Sequence, residues 1–286
     1  MGTAVVSRWA RRTLVVAGGF LVASQVAAIV GLPRRTEVLL GLLGFVVTVV
    51  FGKAYSLVPS YFDRTLAFPR APMVHLPLAT VGVLGLAAGP VAGVPPWVAE
   101  LGAVAWSLGV AVFLGSLAVT LRDNPLGAET GTSNANADRQ RLDRFANGFM
   151  PVALAYLAVG SYALTAAVVG LPSPFDTYVP PSLHLVAVGF ALLLLFAVGF
   201  RLLPRFLVAE VPGGIAPVVL ASGAVGPVLI AWGMPAGPVF QAGAVLEAVA
   251  LVGFALAFFV LYRRSDRRRV GFVGPLLGLS LGPVGV

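Results

Sequence analysis

The chain reads as eight long apolar runs separated by short polar breaks. Residues 13–32, 37–60, 72–93, 97–120, 148–171, 182–206, 214–234 and 238–262 are each predominantly apolar, and about 20 such residues cross a hydrocarbon core as a helix. A transmembrane barrel would instead alternate apolar and polar positions over strands of about ten residues. These runs are continuous and rich in Leu, Val, Ala and Gly. The pattern predicts an all-α integral membrane protein with eight spans. The first run follows Arg8, Arg11 and Arg12 as a secretory leader would, but it is long and lacks a convincing cleavage site. It is expected to remain as a helix.

The polar breaks predict which side each loop faces. With eight spans, one side receives Arg8, Arg11, Arg12, Arg64, Arg70, Arg122, Arg139, Arg141, Arg144, Arg201, Arg205 and the arginines from 263 to 269. The other side receives only Arg34 and Arg35. Because cytoplasmic loops carry the excess of Lys and Arg, both termini are expected in the cytoplasm, with the protein in the cell membrane. The net charge of +8 is thereby explained without nucleic acid as a partner.

An internal repeat is legible as well. "AAIVGLP" at 27–33 recurs as "AAVVGLP" at 166–172, and "GFVVTVVFGKAYSLVPSYF" from Gly44 aligns without a gap with "GFALLLLFAVGFRLLPRFL" from Gly189. This register pairs Phe51 with Phe196, Tyr55 with Phe200 and Pro59 with Pro204, and it carries on to Ala71-Pro72 and Ala216-Pro217. After a small slip, "LGAV" at 101–104 resembles "AGAV" at 242–245. An even number of spans per repeat makes the two units parallel, unlike the inverted repeats of many transporters. The expected organisation is a first four-helix unit over 1–120, a cytoplasmic linker over 121–147, a second four-helix unit over 148–262, and a basic stretch with an apolar tail over 263–286. The polar, small-residue composition of the linker predicts mobility, with "DRQRLDRF" at its end forming an interfacial helical turn that brings Arg139, Arg141 and Arg144 near anionic head groups. The Gly- and Pro-broken tail after Arg269 is expected at the membrane surface.

Composition strengthens the membrane assignment: 58% of residues are hydrophobic, 10% are charged, and mean hydropathy is +0.95. The chain has no cysteine, which removes disulfides, thiolate ligands, iron–sulfur clusters and cysteine nucleophiles. Ionisable residues inside a bilayer are costly and mark functional candidates. Here they are His75, His184, Lys53, Glu100 and Glu247, accompanied by Gln25 and Gln241. Lys53 either snorkels to the cytoplasmic interface or enters a buried ion pair. Glu247 lies too deep to snorkel, so it is protonated by burial, paired or hydrogen-bonded. His75, between Pro72 and Pro77, reads as an interface residue, and His184 is open between a ligand and an interface role. Glu100, Asp176, His184, Gln241 and Glu247 fall in the outer half, where a polar pocket is expected. No nucleotide-binding loop or HExxH pattern is present, and Ser182 near His184 suggests only a helix cap.

His184-x4-Gly189-Phe190, followed by Gly199-Phe200-Arg201-Leu202-Leu203-Pro204-Arg205-Phe206, resembles a helix of small membrane proteins related to subunit I of the haem–copper oxidases and to the NnrS family. "DRFANGFMPVALAYLAVGSYAL" at 143–164 is similar to the helix preceding it. In such relatives the histidine at the helix start binds haem, which implies one haem or metal at His184 alone. The repeat sets Leu39 where His184 stands, so the first unit lacks the corresponding ligand. Two histidines in the whole chain are too few for a complete terminal oxidase.

Three functions therefore stand open. The resemblance implies a reduced haem–copper-type or NnrS-like protein in respiratory or nitrogen-oxide physiology, which binds one haem or metal through His184 or has lost the cofactor. The in-membrane Glu247 and Glu100 suggest a small-solute transporter or channel. The third is a structural or assembly subunit, with membrane-protein partners or further copies of itself. The residues leave open whether the protein is an enzyme.

Overall fold

The computed structural model describes residues 2–265, and the predicted apolar tail and the last arginines of the basic stretch lie outside them. All regular structure among the described residues is helical. In chain order the helices are α1 (Gly2–Ile29), α2 (Arg34–Tyr61), α3 (Ala71–Ala88), α4 (Pro96–Leu121), the short α5 (Gln140–Asn147), α6 (Phe149–Val169), α7 (Pro180–Leu207), α8 (Ile215–Gly233) and α9 (Pro238–Arg264). Eight of these elements, all but α5, supply the long apolar helices, and their bounds lie close to the predicted runs. Two differences have local causes. α1 starts at Gly2 instead of near residue 13, because the arginine-bearing segment before the apolar run continues the same helix. α3 stops at Ala88, where Gly89-Pro90 follows and proline has no N–H to continue the helical hydrogen bonds.

Two helices depart from α geometry in the same way. α2 contains a π-helical stretch at Leu40–Val47 and α7 one at Leu185–Leu192. In a π-helix the backbone bonds reach i→i+5, and such segments concentrate at functional sites. At the end of the first stretch, Thr48 Oγ1 donates to the Leu43 carbonyl at 3.0 Å, so the hydroxyl takes up an acceptor five residues back. Helix ends recur too. Gly31 and Gly170 have φ of 73° and 75°, and behind them Leu32 N donates to Ala27 O at 2.9 Å and Leu171 N to Ala166 O at 3.0 Å. Only glycine adopts this left-handed C-cap without penalty. Asp63 and Val208 have φ of 52° and 51°, while Arg64 N donates to Pro59 O at 2.9 Å and Ala209 N to Pro204 O at 3.2 Å.

The chain packs as two compact units, residues 1–131 with 154–187 and residues 132–153 with the described chain from 188 onward. In the first unit α1 lies along α2, with Gly44 against Phe20: a Cβ added at Gly44 would come 2.6 Å from the ring. α3 and α4 form a hairpin held at backbone distance by glycine, since a Cβ on Gly82 would meet the Trp106 backbone at 2.7 Å and one on Gly102 the Leu86 nitrogen at 2.5 Å. Lipid supplies no hydrophobic force between helices, so close approach at small residues and interhelical hydrogen bonds hold them together. The hydrogen bonds join α4 to α6: Trp106 Nε1 donates to Ser161 Oγ at 3.1 Å, Ser107 and Thr165 share a bond of 2.6 Å, and Thr165 Oγ1 donates to Ala103 O at 3.1 Å.

In the second unit α8 and α9 make a comparable hairpin, in which a Cβ on Gly243 would meet Ile230 N at 2.7 Å. Phe254 packs on Phe196 and Phe200 with ring centroids 4.8 and 5.4 Å away. Leu207, Ala209, Phe258 and Leu261 form a small cluster beside them.

The start of the segment after α4, predicted from its composition as a linker, is anchored by hydrogen bonds. Asn124 Nδ2 donates to Phe62 O at 3.0 Å and Glu129 O at 2.6 Å, its Oδ1 accepts from Glu129 N at 3.2 Å, and Arg64 pairs with Glu129 at 2.7 Å. One buried asparagine thus satisfies several backbone groups and fixes the turn. The expected helical turn at "DRQRLDRF" is present as α5.

Candidate functional site

Two buried polar centres stand out, one in each unit. In the first unit His75 is 3% exposed, one turn into α3. The expectation that it sits at the interface is corrected here: its ring faces the unit's core because aromatic side chains from α2 and α4 surround it. Tyr55 Oη and His75 Nδ1 share a hydrogen bond of 3.1 Å. Phe51 meets the imidazole edge-on at 4.4 Å between centroids, and Phe113 lies at 5.6 Å. His75 Nε2 has no hydrogen-bond partner among the described residues. Beside it is a cavity, lined by Thr13, Thr48, Phe51, Tyr55 and Pro72 among others, that offers ≈ 10 Å³ to the centre of a water molecule. That is room for about one water. The site fits a single small polar guest and not a haem.

In the second unit the two quoted motif segments meet. Asp143 and Asn147 stand four residues apart on α5, and Arg201 and Arg205 four apart on α7, so each pair lies on one helix face. Arg201 and Asp143 are each 1% exposed. Arg201 Nη1 donates to Asn147 Oδ1 at 2.5 Å, and its Nη2 lies 3.6 Å from Asp143 Oδ2. Arg205 Nη2 donates to the same carboxylate oxygen at 2.5 Å and to Thr132 Oγ1 at 3.2 Å, while the Thr132 hydroxyl donates to Asp143. Arg139 reaches the Pro204 carbonyl at 3.1 Å. One carboxylate therefore serves two guanidinium groups, one of them fully desolvated. Arg201, grouped in the sequence with the cytoplasmic-side arginines, is turned inward by its position in the helix. The signal was present: paired i, i+4 polar residues of opposite character in "DRFANGF" and "GFRLLPRF". Tyr55 had no comparable signal, since its only mark is the hydroxyl that Phe200 lacks at the matching position.

The other candidates sit as follows. His184 is half-buried and is the last residue before the π-helical stretch of α7. Glu247 is half-buried against Gly226, where an added Cβ would come 2.6 Å from its Cγ. Glu100, Asp176, Gln241 and Lys53 are exposed. Of this outer group, Glu100, Asp176 and His184 belong to the first unit, and Gln241 and Glu247 to the second. No group of three or more His, Cys, Asp or Glu side chains suited to a metal ion occurs among the described residues.

Eight helices long and apolar enough to cross a membrane make this chain, by length and composition, a multi-pass helical membrane protein. No family model, curated protein or solved structure matches the chain.

Proposed function

We propose that the chain is a reduced relative of haem–copper oxidase subunit I and the NnrS proteins. In this reading it is built from two parallel four-helix units with both termini in the cytoplasm, and it carries one haem or metal through His184 at the outer end of α7. Its role is in respiratory or nitrogen-oxide physiology, short of a complete oxidase. The observation that carries the ligand role is the position of His184, half-buried and immediately before a π-helical stretch, the kind of segment found at functional sites.

The repeat is supported by the register of the backbone. The π-helical stretches begin at residues 40 and 185, the spacing that pairs Gly44 with Gly189. The left-handed residues Asp63 and Val208 have the same spacing, and Gly102 and Gly243 occupy matching close approaches in their hairpins. On this alignment Leu39, fully buried, stands where His184 does, so only the second unit retains the ligand.

The test is the visible spectrum and metal content of protein purified in mild detergent from its native membranes, beside His184→Ala. Stoichiometric haem or metal that the variant loses is expected. A colourless, metal-free wild type refutes the ligand role.

A second reading, transport of a small solute, is favoured by the packing of Glu247 on Gly226, which gives an in-membrane carboxylate a fixed berth between α8 and α9. Its signature is uptake into proteoliposomes that Glu247→Gln abolishes while the protein stays folded. Uptake unchanged by the substitution refutes it.

A further inference from the structure

Five arginines lie on or beside α5 and the end of α7, and they divide sharply. Arg139, Arg201 and Arg205 are engaged within the protein by the bonds described above. The side chains of Arg141 and Arg144 are exposed, make no hydrogen bond or ion pair among the described residues, and project three residues apart from α5. They line a cleft with Leu142, Phe145 and the Val211–Gly214 turn. Its one lining carboxylate, Asp138, lies 3.6 Å from Arg139, and Glu210 beside the turn is exposed.

Gly213 and Gly214 line a second hollow as well, a groove between α8 and α9 walled by Val218, Val245, Val249, Val252 and Leu256. Neither glycine has any atom within 4 Å of an added Cβ, so the turn shared by cleft and groove is uncrowded. A basic cleft thus adjoins an apolar groove about 600 Å³ in volume, on helices whose length and hydropathy suit a bilayer.

We propose that the second unit binds an anionic glycerophospholipid, its phosphate against Arg141 and Arg144 and an acyl chain along the groove between α8 and α9. Charge complementarity selects the head group, because two unpaired guanidinium groups favour a net negative lipid over a zwitterionic one. Continuity with the groove selects a lipid over a soluble phosphate. The site stands independently of any role for His184.

The test is native mass spectrometry of the full chain in detergent, titrated with phosphatidylglycerol and with phosphatidylcholine of equal chain length. Phosphatidylglycerol is expected to bind about thirty-fold more tightly, the factor two basic residues carry at an anionic surface. The pair Arg141→Gln/Arg144→Gln removes that preference, whereas Val249→Trp, which fills the groove, weakens both lipids. Circular dichroism checks that each variant is folded. Equal binding of the two lipids, a preference that survives the arginine substitutions, or groove filling without effect overturns the proposal. Displacement by glycerol 3-phosphate at concentrations matching phosphatidylglycerol overturns it in favour of a soluble-anion site.

Discussion

Replacing Asp143 by Asn tests the central claim about the second unit. The carboxylate accepts from Arg205 at 2.5 Å and lies 3.6 Å from Arg201, whose side chain has no exposed surface. The amide keeps the shape and one acceptor oxygen but removes the negative charge that both guanidinium groups share. Arg205 is 29% exposed and retains access to water and to Thr132. Arg201 retains Asn147 but loses the shared charge with no route to solvent. Removing one partner of a buried pair costs about 3–5 kcal/mol, which corresponds to a fall in melting temperature of roughly 10 °C for a chain of this size. Thermal unfolding in detergent, followed by helical circular dichroism, reads the shift. The double variant Asp143→Asn/Arg201→Met removes both desolvated charges and is expected to recover most of the loss. If the double variant is as unstable as the two single losses added together, the residues are uncoupled and the account of a shared buried carboxylate is wrong.

Tyr55→Phe leaves both ring nitrogens of buried His75 without partners, which should cost about 1–3 kcal/mol; adding His75→Leu should restore most of it, as a melting series will show. Gly102→Ala forces a methyl to within 2.5 Å of the Leu86 backbone nitrogen, so α3 and α4 must separate at about 1–3 kcal/mol. Gly115→Ala on the same helix meets no atom within 4 Å and should be neutral or slightly stabilising; equal melting temperatures for the two variants refute the close-approach argument.

The class and the approximate positions of the spans were legible in the amino-acid order alone. A run of about 20 apolar residues has one economical structure in a bilayer, a helix that satisfies its own backbone, and this is a local property. Gly31 and Gly170 marked their helix ends for a similarly local reason, the left-handed cap. What tertiary structure decided was direction. In runs apolar on every side there is no amphipathic stripe from which to read a buried face. Lys53 and His75 looked alike as isolated polar residues, yet one is exposed and the other lies within an aromatic core. Arg201 and Arg141 both looked like loop-side charges; α7 turns the first inward onto Asp143, whereas α5 leaves the second at the surface. The segment after α4 read as mobile because its anchors, Phe62 and Arg64, lie some sixty residues earlier in the chain. Burial and pairing depend on which surface a neighbouring helix presents, and only the packed chain supplies that surface.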